Sequence, residues 1–227
     1  MNSHMITYNF GESFRRLILS DNKFAIFDDK DFVIIKNYNG DTEYRIQLDD
    51  LVGWGLYFDR KLKVITETSH KDAHHISYIT HFDTQHEPQF VIKDPTGDII
   101  ISLKPGMLHV YDSFMVFKRV IYLPDNFQLV YGMSFTTNGD YILWGIHHHL
   151  LVITPHGDFI KKLLTPFRPV FATMDYEGYF YICHFEKKKI YLYDHSLKQI
   201  KTINLMKHPI ACYLHTNGYF YVFTTDF

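Results

Sequence analysis

Apolar and polar positions along the chain fall into a repeated pattern. Four segments show a short apolar run, a polar turn with glycine, and then a strongly apolar run: residues 90–103 (FVIKDPTGDIIISL), 133–144 (MSFTTNGDYILW), 171–185 (FATMDYEGYFYICHF) and 212–223 (CYLHTNGYFYVF). Their turn glycines, Gly97, Gly139, Gly178 and Gly218, recur at intervals of about 40 residues, the period of a repeat architecture. Two weaker copies precede them, at residues 17–27 and 56–65, with Asn22 and Arg60 in the glycine place. Asn tolerates the left-handed backbone of such turns and Arg does so less readily. A second hairpin follows in most copies, at residues 32–48, 108–123, 150–164 and 190–205. Each repeat thus predicts four short strands joined by Gly, Asn, Asp and Pro turns. No segment carries a sustained helical period.

Four-stranded units at this period predict an all-β β-propeller. A blade cannot bury both faces by itself, so blades must pack on one another. Six copies span residues 1–227, which predicts a single six-bladed domain with no room for a second one. The last copy stops after two strands, and an extra strand at residues 5–10 precedes the first. Pairing of the two termini in one closing blade, of as few as three strands, would cover an otherwise open edge. The copy around residues 70–87 is poorly defined, and five blades with irregular ends is the alternative.

The repeat at residues 169–205 resembles that of the NHL and related six-bladed propeller families. It has an apolar strand, Asp175-Tyr176-Glu177-Gly178, the strand at 179–185, then Ile190-Tyr191-Leu192-Tyr193-Asp194, a turn and a last strand. Gly139 with Val152-Ile153-Thr154-Pro155-His156-Gly157 repeats the pattern. The resemblance covers the last two-thirds of the chain best. It implies a propeller fold, in families that include protein-interaction modules, RNA binders, lyases and calcium-dependent lactonases, and a shared fold does not choose among these.

Composition agrees with strands: aromatic residues make up 17%, with 20 Phe and 17 Tyr, side chains that pack well on a pleated sheet. The net charge of -2 supplies no overall basic field, so no general nucleic-acid or membrane affinity is expected. Without a signal-like or membrane-length apolar run, the expected location is cytoplasmic. Cys183 and Cys212 each lie in an apolar run and read as buried free thiols. The opening residues 1–4 read as an appended stretch before a natural start at Met5.

Candidate chemistry lies in the connections between second and third strands. These place Asp28, Glu67, Lys104, His147, His184 and Asp226 at similar points of successive copies, which predicts one polar face of mixed charge. Inter-repeat loops on the same face add Asp49, Asp50, Arg168 and His208. His147, His148 and His149 could ligate a transition metal with His184, but neighbouring strand residues point to opposite sides, so only a bent loop would allow it. An exposed loop is the simpler reading. Asp28, Asp29 and Asp31 lack the spacing of a calcium loop and read as a solvated turn, as does Lys187-Lys188-Lys189. Trp54 and Trp144 read as core. No nucleophile elbow, phosphate-cradling loop or zinc-protease helix is present, and no cofactor is implied. The expectation is therefore a non-catalytic recognition propeller whose polar face binds a protein or other ligand. The alternative is a small hydrolase or lyase using His147, His184 and carboxylates.

Overall fold

The structure, a computed structural model, describes residues 5–9, 14–19, 23–28, 32–47, 53–59, 61–66, 70–72, 78–79, 88–114, 116–124, 127–214 and 218–226. In chain order, β1 (Met5–Asn9) precedes five groups of four strands. The first group is β2 (Phe14–Leu19), β3 (Lys23–Asp28), β4 (Phe32–Asn37) and β5 (Thr42–Gln47). The second is β6 (Gly53–Asp59), β7 (Lys61–Thr66), β8 (His70–Asp72) and β9 (Tyr78–Ile79). The third is β10 (Pro88–Lys93), β11 (Ile99–Leu103), β12 (Met107–Tyr111) and β13 (Phe117–Tyr122). The fourth is β14 (Val130–Phe135), β15 (Tyr141–Gly145), β16 (His149–Ile153) and β17 (Phe159–Leu164). The fifth is β18 (Phe171–Met174), β19 (Phe180–His184), β20 (Lys189–Tyr193) and β21 (Gln199–Asn204), after which come β22 (His208–Leu214) and β23 (Phe220–Thr225).

Each group of four is one antiparallel sheet with its strands in chain order, and β1, β23 and β22 form a sheet of three with β23 in the middle. No helix occurs among the described residues, and none is long and apolar enough to cross a membrane. The chain divides into two units, one of residues 1–84 with 213–227 and one of residues 85–212.

The second unit shows why the apolar runs alternate as they do. Every residue of β11, β15 and most of β12, β16 and β19 is buried, so both faces of the middle strands are covered. Tyr141 and Leu143 of β15 point into one core with Ile100, Leu108, Val110 and Ile121 of the third sheet. The intervening Ile142 and Trp144 point into another, with Phe180, Ile182 and Ala172 of the fifth. Successive strand residues face opposite ways, so one strand feeds two cores. Each fully buried side chain of this kind stabilises by about 1.5–3 kcal/mol. The fourth strands are solvated, with Phe117, Phe159 and Ile200 exposed.

In the first unit β1 runs parallel to β23, Met5 beside Phe220 and Asn9 beside Thr224. Tyr8 inserts among Phe24, Phe223 and Tyr221, with ring centroids 5.2, 5.6 and 6.1 Å away. Its hydroxyl donates to the Tyr38 carbonyl. In the weakly patterned copy the described residues include the short strands β8 and β9. Asn22 and Arg60, as well as the side chain of Trp54, lie outside the described residues.

The hairpin turns are built alike. Asn37, Asp94, Asp112, Thr136, Thr154, Asp175 and Asp194 each accept, through a side-chain oxygen, the N–H groups two and four residues on. In the glycine-bearing turns the residue three on has positive φ, as at Gly139 (85°). Leu197 takes the same place in the Asp194 turn at 65°.

Candidate functional site

An up-and-down sheet of four strands has two unlike ends. The first-to-second and third-to-fourth turns lie at one, here the turn end. The second-to-third connection and the links between sheets lie at the other, the loop end. At the turn end, one side-chain oxygen of each capping residue is taken up inside its own turn.

The sequence-derived positions fall at loop ends where the structure describes them. In the second unit, Lys104 follows β11, His147 lies between β15 and β16, and His184 closes β19. In the first unit, Asp28 closes β3, and Asp226 follows β23 and accepts from the Asn9 amide at 2.8 Å. Glu67 lies outside the described residues, as do Asp29, Asp31, Asp49 and Asp50.

His147 finds its ring partner within its own loop. The His147 and His149 rings are nearly parallel, 5.5 Å between centroids and 8° between planes. His149 is only 6% exposed and packs edge-on against Phe127, 5.2 Å away. Burial, with lesser contributions from Lys162 and His147, lowers its pKa to about 4. It is neutral at pH 7.

In the next sheet His184 stacks on Phe167 at 4.2 Å and 7°, with Tyr191 tilted at 6.1 Å. Burial lowers its pKa; Glu186 opposes this, while Lys187 and Lys189 reinforce it. Its Nδ1 is buried and has no hydrogen-bond partner among the described residues. By contrast, the His208 Nδ1–H donates to the Phe185 carbonyl at 2.9 Å.

The two imidazoles are variations on one corner. Each lies under a phenylalanine that precedes its sheet, Phe127 or Phe167. In the fifth sheet the ring comes from the end of the second strand. In the fourth that position is Gly145, where a Cβ would meet the Leu129 carbonyl oxygen at 1.9 Å. The imidazole comes instead from the third strand, as His149. Sequence reading singled out His147 as a contact, named His149 only within the histidine triplet, and passed over Phe127 and Phe167. The available signal was an aromatic residue shortly after Pro124 and Pro166, at the same point of two repeats.

Such a corner can hydrogen-bond or stack on a ligand as neutral imidazole. Among the described residues, no group of three or more His, Cys, Asp or Glu side chains is placed to hold a metal ion. Cys183 and Cys212 are buried free thiols. Burial, and then Cys212 nearby, pushes the Cys183 thiol well above its usual range.

No family model matches the chain, and no curated protein does. Solved structures do. A streptogramin B lyase matches over 91% of this chain and 74% of its own, at 12% identity and a TM-score of 0.67. Virginiamycin B lyase from Staphylococcus aureus matches over 88% and 73%, at 14% identity and 0.64. BBS1N, solved in complex with ARL6DN, matches over 89% and 69%, at 11% identity and 0.64. The chain resembles β-propeller repeat proteins. At these identities the likeness is one of fold, and the neighbours include both lyases and a protein bound to a partner.

Proposed function

We propose that this chain is a non-catalytic recognition propeller of one domain, with the six sheets as its blades and the β1–β23 pairing as its closure. Its loop-end residues bind a protein or other ligand. Lys104, His147 and His184 are the contact positions in the second unit, and Asp28, Glu67 and Asp226 are their counterparts in the other repeats. The observation that supports this reading is the contrast between the ends of the second unit. At the turn end one side-chain oxygen of each cap is engaged within its own turn, whereas at the loop end the His184 Nδ1, on a ring stacked against Phe167, is buried with no hydrogen-bond partner among the described residues. An unpaired buried nitrogen is unfavourable by itself and gains from a ligand that pairs with it.

The test is selection of binders from a displayed random-peptide library and a panel of small polar metabolites, on the wild-type chain and on His147→Ala and His184→Phe. Binding lost in both variants, with unchanged melting temperature, is the expected result. Binding indifferent to both substitutions removes the site. Chemical conversion of a bound compound, abolished in His184→Phe, would establish the hydrolase or lyase reading in its place.

A further inference from the structure

Among the described residues, the loop end of the second unit carries an excess of positive charge. Among the described residues there, Lys104, Arg168, Lys187, Lys188, Lys189 and Lys207 are cationic, and Glu186 is the acid among them. The turn end has the opposite balance, with Asp94, Asp98, Asp112, Asp140, Asp158, Asp175, Glu177 and Asp194 against Lys93, Lys118 and Lys198. Among the described residues of this unit the expected face of mixed charge carries a cationic excess, and Glu87 and Asp125 lie outside the described residues. Asp28 and Asp226, the acids of that expectation that the structure describes, belong to the first unit.

The fold fixes the backbone of one of these cations and the guanidinium of another. Lys188 has φ of 55°, a left-handed backbone that disfavours a side chain. The matching residue of the third sheet is Gly106, at 63°. Both carbonyls accept the N–H of the residue after the fourth strand region, Leu205 to Lys188 and Leu123 to Gly106, each at 2.8 Å. A glycine meets this geometry without strain, yet the fifth sheet places a lysine there. Arg168 lies over the Tyr131 ring, 4.5 Å from its centroid, which anchors the guanidinium at the loop end. Exposed apolar side chains lie at the same loop end: Tyr122 is 75%, Leu164 70% and Met206 90% exposed.

We propose that the loop end of the second unit docks an acidic segment of a partner protein, one that also offers apolar side chains to Leu164 and Met206. The inference rests on the recognition reading above and gives its partner a chemistry. Charge complementarity selects an acidic partner and speeds its approach. A nucleic acid would satisfy the charges but would leave the exposed aliphatic side chains without an apolar counterpart, and phosphate contacts alone do not explain them.

The experiment uses the whole chain and the same displayed random-peptide library, read by the net charge of the enriched sequences. An Arg168→Glu/Lys187→Glu/Lys188→Glu variant serves as the comparison, and soluble poly-L-glutamate and a single-stranded RNA serve as direct probes. The expected result is enrichment of acidic peptides with aliphatic or aromatic residues, an affinity lowered at least about tenfold in the charge-reversed variant, and weakening with added salt. Enrichment of neutral or basic peptides that still need His147 and His184 overturns the acidic partner and leaves the recognition reading intact. RNA bound more tightly than either poly-L-glutamate or the peptides overturns it as well. No enrichment at all overturns both. Unchanged melting of the variant shows that a loss of binding is not a loss of fold.

Discussion

The Tyr141 hydroxyl donates to Asp94 Oδ2 at 3.2 Å, tying the second strand of the fourth sheet to the first turn of the third. Asp94 is 6% exposed, and its other oxygen accepts from Thr96 N–H, Thr96 Oγ1–H and Asp98 N–H. Burial and the Asp94 charge raise the Tyr141 pKa. In the fifth sheet Tyr181 donates to Asp175 at 3.1 Å, within one sheet. A hydrogen bond from a buried donor to a carboxylate contributes about 1.5–3 kcal/mol. Tyr141→Phe should therefore lower unfolding free energy by about 2 kcal/mol. Asp94→Ala should lower it further, because it also strips the turn of its cap. Denaturant unfolding of both variants checks this, and a Tyr141→Phe chain as stable as wild type would show the contact to be idle.

The turn glycines make a separable prediction. At Gly139, φ is 85° and an added Cβ would meet nothing within 4 Å. Gly139→Ala thus meets no clash, and its backbone strain, less the chain entropy that alanine removes from the unfolded state, should destabilise by about 1 kcal/mol, with Gly139→Asn milder. Equal stability of all three in thermal melts would contradict the left-handed turn.

Much of this architecture was legible in the residues, for a physical reason. Gly97, Gly139, Gly178 and Gly218 mark a backbone conformation that few residues share, and the alternating apolar runs beside them follow from strands buried on both faces. The caps were harder to read: Asp, Asn and Thr do the same job, so Asp94, Thr136 and Asp175 look like unrelated polar residues until their N–H partners are seen. The loop-end positions of Lys104, His147 and His184 followed from strand phase. The buried imidazole did not. Whether His147 or His149 faces the core depends on how the loop bends, and Phe127, which covers His149, lies far off in sequence. The cationic excess of the described loop end is also hidden in the sequence, where Asp28 and Asp226 stand at the repeat position of Lys104.

His149 links stability to pH. Its folded pKa of about 4 lies below the ordinary 6.5, so between those values the unfolded chain binds a proton that the folded chain does not. The stability held above pH 6.5 is therefore lost as pH falls towards 4, on the order of 2 kcal/mol after allowance for solvent screening. His184, also lowered, acts in the same direction. Melting temperature measured from pH 7.5 to pH 4.5 should fall more steeply for wild type than for His149→Phe. Parallel curves would rule out His149 as the source.

Lys188 gives a prediction of opposite sign for stability. With φ of 55° it takes the place that Gly106 takes in the third sheet. Lys188→Gly relieves the steric penalty and should stabilise by up to about 1 kcal/mol, less the added chain entropy of glycine. Lys188→Ala keeps the strain and removes the charge. Stability that rises in the first and not in the second, by denaturant unfolding, is the expected pattern.

The β1 strand gives the last prediction. It pairs with β23 along its whole length, from Met5 beside Phe220 to Asn9 beside Thr224. Removing residues 1–9 leaves one edge of β23 unpaired and takes away the Tyr8 ring from Phe24 and Phe223, both fully buried. A lost aromatic side chain in such a cluster costs about 3 kcal/mol, before any lost backbone hydrogen bonds. Tyr8→Ala should approach that value, and Tyr8→Phe should lose about 1 kcal/mol with the hydroxyl bond to Tyr38. Met5, 47% exposed, serves as the control: Met5→Ser should be close to neutral. The truncated chain should also associate, because β23 would present a bare strand edge to other copies. Light scattering and unfolding curves of the four chains measure both effects. A truncated chain that stays monomeric and melts like the wild type would mean that β1 contributes nothing to the sheet it joins.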